Sequence, residues 1–204
     1  MGLVEIQRTL ARLYTDTTLR ERFFGDPVGV GRELGLSAAE ARELSQLSAR
    51  GVDSFAESLR AKRFLEVTKL LPMTNRMIGG EFAAHFRNYA ETYSPAGVKK
   101  HLGDALAFAS YLENKIRHER EHPRWVLDLL RYEQARLKAA DPSRRWVARY
   151  FRHDISRLVR SVARREETPT AARRSTVAVW WRPRSRAPVR FAVFARPQIF
   201  KKSS

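Results

Sequence analysis

Thr176-Val-Ala-Val-Trp-Trp-Arg182, followed closely by Val189-Arg-Phe-Ala-Val-Phe-Ala195, is the stretch that decides the fold class. Val177, Val179 and Trp181 recur at every second position, as do Val189, Phe191 and Val193. A period of two belongs to a strand, whose successive side chains point to opposite faces. The connection from Pro183 to Pro188 is short, and proline blunts strand ends because it cannot donate to a ladder, so the two runs read as a hairpin. Working outward, residues 166–175 read as a loop. Before them Ile155, Leu158, Val159 and Val162 recur at helical spacing, with Arg157, Arg160, Arg164 and Arg165 largely off that face. Residues 146–151, Trp-Val-Ala-Arg-Tyr-Phe, favour a strand by composition. Residues 141–204 are therefore predicted as β-α-β-β.

The preceding 140 residues read as short helices with their own stop signals. Leu3, Ile6, Leu10 and Leu13 form one stripe; Asp16 is placed to cap a helix carrying Leu19, Phe23 and Phe24. Asp26-Pro27 is an N-cap with proline in the first turn, and Gly35 supplies a left-handed C-terminal cap. Ser37-Ala-Ala-Glu40 is a capping box whose helix should close near Gly51, with Asp53 opening the next around Phe55, Leu59, Phe64 and Leu65. Pro72 should interrupt that helix. Further helices are expected over Phe82 and Phe86, from Asp104 to about Arg117, and after His122-Pro123. The predicted class is α+β, an N-terminal all-α multi-helix domain followed by a small Arg-rich β-α-β-β domain. The expected boundaries are 1–140 (a short-helix module at 1–50 and a bundle at 51–140) and 141–204, with 1–140 folding by itself.

Charge supports a boundary at 140. Residues 141–204 hold 17 Lys and Arg against 4 Asp and Glu, while residues 1–140 hold 22 against 18, so most of the net +17 lies in the last third. Such asymmetry points to an acidic partner. With 43% hydrophobic and 10% aromatic residues the chain can bury a core. It has no cysteine, which removes disulfides, thiolate metal sites and cysteine catalysis. The amphipathic start Met-Gly-Leu-Val-Glu-Ile-Gln has no signal-peptide pattern, and no apolar run approaches ~20 residues, so a soluble, cytoplasmic protein without a membrane partner is expected.

His118-Glu119-Arg120-Glu121-His122 matches the H-E-x-x-H pattern, in which one helix face offers two imidazoles to zinc. Pro123 directly after the second histidine removes it from helical geometry, so the run reads as a charged helix end. His85, His101 and His153 are scattered. Gly29-Val-Gly31 lacks the third glycine of a dinucleotide loop, and no phosphate loop or nucleophile elbow occurs. The expectation is no catalytic residue, no metal and no cofactor.

The Arg-rich segment has three readings: a solvated face, a nucleic-acid surface on which Trp180, Trp181, Phe191 or Phe194 stack bases, and a sheet edge that captures an extended acidic peptide. Composition does not choose among them. The binding residues under either functional reading are Arg182, Arg184, Arg186, Arg190, Arg196 and Trp180.

Leu59-Arg-Ala-Lys-Arg63, Lys69-Leu-Leu-Pro72, Arg76-Met-Ile-Gly79, Phe82, Phe86, Tyr89-Ala90, Asp104 and Phe108-Ala-Ser-Tyr-Leu112, continued by Trp125-Val-Leu-Asp-Leu-Leu-Arg-Tyr-Glu133, form a pattern. It resembles helical partner proteins of the HvfC/BufC-like kind, often labelled DNA-binding, which accompany TIM-barrel multinuclear iron enzymes that modify ribosomally made peptides. Residues 13–36 are similar to small helical modules of peptide-biosynthesis proteins. The resemblance implies a non-catalytic subunit that recognises a precursor peptide and presents it to the iron enzyme. Its implied partners are that enzyme and an acidic precursor peptide; the alternative is a DNA- or RNA-binding regulator.

Overall fold

The structure, a computed structural model, describes residues 3–93, 95, 100–119, 121–166, 169, 171–184 and 187–195. Along these residues the order is α1 (Leu3–Thr15), α2 (Thr17–Gly25), α3 (Pro27–Glu33), α4 (Ala38–Ser45), α5 (Ala49–Leu70), α6 (Pro72–Ile78), α7 (Gly80–Thr92), α8 (Lys100–Glu119) and α9 (Arg124–Ala140), then β1 (Trp146–Phe151), α10 (Ile155–Ala163), β2 (Thr176–Trp181) and β3 (Arg190–Ala195). The architecture is α+β, mostly helical, with the predicted β-α-β-β order at its end. Among the described residues no helix is long and apolar enough to cross a membrane. Two compact units are formed, residues 1–65 with 87–94 and residues 66–86 with 95–204.

In the first unit the helix ends follow local side-chain chemistry. Asp16 accepts from the Leu19 amide at 2.8 Å, and Asp26 from the Gly29 amide at 2.9 Å with Pro27 in the first turn. Ser37 and Glu40 complete the capping box, and Gly35 takes φ +80°, which its missing Cβ permits. Leu13, Leu19, Phe23, Val30, Leu36, Ala41, Leu44 and Val52 form the core. A Cβ on Gly31 would lie 2.6 Å from the Ala41 Cβ, so the close approach of α3 and α4 requires glycine. Buried Arg20 ties three segments through the Leu13 carbonyl (2.7 Å), Thr17 Oγ1 (3.3 Å) and Asp53 (2.5 Å).

Two expectations fail here. α5 starts at Ala49, so Gly51 and Asp53 lie inside it. Ser48 takes the capping role, its hydroxyl accepting from Gly51 N at 3.3 Å, and Asp53 is engaged by Arg20. Within the first unit α5 buries Val52 and Ala56, whereas Phe55 and Leu59 are 49% and 36% exposed.

In the second unit Pro72 ends α5 and occupies the first turn of α6. Leu71, the α6 N-cap, has no capping side chain, and the role falls to Glu133 of α9. Its buried carboxylate accepts from Met73 N (2.8 Å), Thr74 N (2.9 Å) and Thr74 Oγ1 (2.6 Å). α8 begins at Lys100, a turn before the expected start at Asp104, which is buried. Phe108 meets Phe82 and Phe86 edge-on at 5.0 and 5.3 Å.

The strands form one antiparallel sheet in the order β1-β2-β3. Phe151, Ile155, Leu158, Val162, Ala178 and Trp180 pack in one cluster with Leu129, Ala135 and Ala139 of α9. The charge step at residue 140 therefore does not coincide with a packing boundary. One core spans it because the apolar face of α9 is covered by the sheet and α10.

Candidate functional site

The sheet register assigns each side chain to a face. Trp146 pairs with Trp181, which pairs with Arg190; Tyr150 pairs with Val177, which pairs with Phe194. These rows lie on the face opposite the core, since Phe151, Ala178 and Trp180 alternate with them and are buried. Trp146, Tyr150 and Phe194 are 70%, 49% and 59% exposed, which makes that face aromatic. β2 is central, so among the described residues the unpaired edges belong to β1 and β3.

The predicted binding residues separate into different roles. Trp180 is buried and packs against Phe191 (4.9 Å) and Tyr132 (5.6 Å), so it belongs to the core and not to a stacking surface. Arg182 donates to the carbonyls of Ala139 and Ala140 (3.2 Å each) and of Ala187 (2.9 Å). It therefore closes the C-terminus of α9 and the hairpin connection, a favourable position for a cation. Arg190 opens β3 and Arg184 lies in the connection; both are exposed, without an ion-pair partner among the described residues. Arg186 and Arg196 lie outside the described residues. Losing the Arg182 contacts should cost about 1.5–3 kcal/mol, the range for charge-assisted hydrogen bonds. Arg182→Ala is thus expected to lower the melting temperature, measured by circular dichroism. An unchanged melt would return this guanidinium to the groups available for a ligand.

A second basic feature escaped sequence reading. Arg117, Arg124, Arg131 and Arg152 line a cavity of about 540 Å³ together with His122 and Asp128. Asp128 is buried, accepting from the amides of Arg152 (2.8 Å) and His153 (3.0 Å) and lying 2.8 Å from His153 Nδ1, so it fixes the turn after β1. Glu113 lies 2.8 Å from both Arg117 and Arg131. Burial first, and then the charges of Arg149 and Arg144, hold the Lys138 ammonium below its ordinary pKa at the end of α9. The spacing of Arg124 and Arg131, two turns apart on one helix face, is the signal that could have pointed to the cavity.

The H-E-x-x-H run does not form a two-histidine face. α8 ends at Glu119, where exposed His118 lies with its Nδ1 2.7 Å from the Asn114 carbonyl. His122 lies past the helix, 2.8 Å from Glu81. Residues 45–114, about a third of the chain, match the family described as SCO6045-like, C-terminal domain. The matched segment runs from the end of α4 into α8 and excludes the sheet. No curated protein matches the chain.

Proposed function

We propose that the protein is a non-catalytic partner subunit that holds an extended, acidic precursor peptide for a peptide-modifying iron enzyme. The observation that carries this reading is β3, an edge strand whose outer side has no strand partner among the described residues and which begins at exposed Arg190. An edge of unpaired N–H and C=O groups accepts an extended segment as a further strand. Guanidinium groups then select acidic side chains by forked hydrogen bonds. Resemblance to the HvfC/BufC-like partners supplies the enzyme, and exposed Phe55 and Leu59 on α5 offer apolar surface for docking it.

Nucleic acid is the second reading, favoured by the exposed Trp146, Tyr150 and Phe194 on one sheet face, since base stacking on such rings tolerates any sequence. The test is fluorescence anisotropy with two probes, a synthetic peptide alternating glutamate and valine, and an oligouridine. The expected result is peptide binding that falls about tenfold in the Arg184→Glu/Arg190→Glu protein, equivalent to about 1.4 kcal/mol. Arg182 is left intact because it supports the fold. Peptide binding that is absent or indifferent to the double exchange would refute the peptide reading. Tight oligouridine binding lost in Trp146→Ala would establish the second.

A further inference from the structure

We propose that Glu81, His85 and His122 form a site for one divalent cation of the zinc class. Glu81 and His85 are four residues apart on α7, which places them on one face a turn apart. His122 comes from the segment between α8 and α9, held off both helices by Pro123 at the α9 N-cap. One ligand atom from each of the three lies within 4.8 Å of the others. Around a zinc ion with bonds of about 2.0–2.2 Å such atoms stand roughly 3.3 Å apart. Side-chain rotation closes that difference, and the Glu81 side chain, 54% exposed, is free to turn.

The second observation concerns His122. Its side chain is only 12% exposed, and Nε2 lies 2.8 Å from Glu81 Oε2. No properly directed hydrogen bond reaches this buried nitrogen. A nitrogen lone pair and a carboxylate oxygen at that distance repel unless a positive species joins them. That species is a proton, carried by the neutral Nε2–H tautomer or by an imidazolium, or a metal, which also recruits His85. Two imidazoles and one carboxylate are a zinc donor set, and three protein ligands leave a fourth position for water or an anion. The sequence pattern that suggested zinc paired His118 with His122; here His122 is retained and His118 is replaced by ligands from α7. The site is independent of the peptide reading.

The test uses the full chain, free of affinity-tag histidines and stripped with chelator, titrated with zinc chloride by calorimetry. About one zinc per chain should bind in the micromolar range or tighter, and magnesium, which prefers oxygen ligands, should give no saturable heat. Glu81→Gln and His122→Gln should each weaken zinc at least about tenfold, since even outer partners of a site are worth that much. His118→Ala should bind as the unaltered chain does. Zinc should raise the melting temperature of the unaltered and His118→Ala proteins clearly more than that of Glu81→Gln, whose exposed side chain can change without loss of fold. Absence of saturable zinc binding, loss on His118→Ala, or undiminished binding by both Gln variants would overturn the proposal.

Discussion

A chain ended after residue 140 is expected to lose the cooperative unfolding of the second unit. The surface left behind is the core-facing side of α9, where Leu129, Ala135 and Ala139 pack with Phe151, Ile155, Leu158, Val162, Ala178 and Trp180, and Trp125 and Tyr132 lie against the same cluster. Uncovering a large apolar side chain costs roughly 1.5–3 kcal/mol, so Trp125, Leu129 and Tyr132 together cost on the order of 5 kcal/mol. A whole domain has only about 5–15 kcal/mol. Polar ties go as well. Arg76 loses the Val162 carbonyl, 2.7 Å away, and Asp128 loses the amides of Arg152 and His153. Urea unfolding followed by circular dichroism checks this. The truncated chain should retain at most a transition of reduced steepness from the first unit, since the slope follows the surface exposed. A transition showing that residues 66–140 still unfold cooperatively would mean that α9 needs no cover from the sheet.

The capped, amphipathic helices of residues 1–140 and the charge step after them suggest that these residues fold by themselves, whereas the cluster shared between α9 and the sheet predicts that they do not. Charge reports on surface, whereas a folding boundary is set by which apolar faces meet. What could be read correctly was local. Asp16, Asp26 and the Ser37/Glu40 pair each cap an amide three residues away, and the hairpin follows from period-two alternation between prolines. What could not be read was distant. Arg182 bonds carbonyls 42 and 43 positions earlier, Glu133 caps a helix about sixty positions before it, and His122 meets Glu81 across 41 residues. The Trp180-Trp181 pair shows the limit most sharply. Both residues suit a core, and only the register with β1 and β3 decides that Trp180 faces inward and Trp181 outward. Assigning Trp180 to a binding surface took the wrong parity.

Glu133→Ala should destabilise the second unit by about 3–5 kcal/mol. The substitution leaves Met73 N, Thr74 N and Thr74 Oγ1 without their acceptor at the start of α6, and each buried donor left unsatisfied costs about 1–3 kcal/mol. It also opens space beneath a fully buried side chain, where water has no ready access to repair the loss. Glu133→Gln should cost less, because one oxygen remains to accept from Thr74 while its amide nitrogen meets the Met73 N–H as a second donor. The two variants also separate by pH. Burial raises the Glu133 carboxyl above its ordinary 4.5, against the opposing hydrogen bonds from Thr74 and Met73. The folded chain therefore holds that proton more tightly than the unfolded one. The resulting stabilisation is fully present below about pH 4.5 and is lost as pH rises through the raised value. Urea midpoints measured across this range should fall less steeply with pH in Glu133→Gln than in the unaltered protein. Parallel curves would mean that the three donors cancel the effect of burial, and an unchanged midpoint in Glu133→Ala would remove Glu133 as the cap of α6.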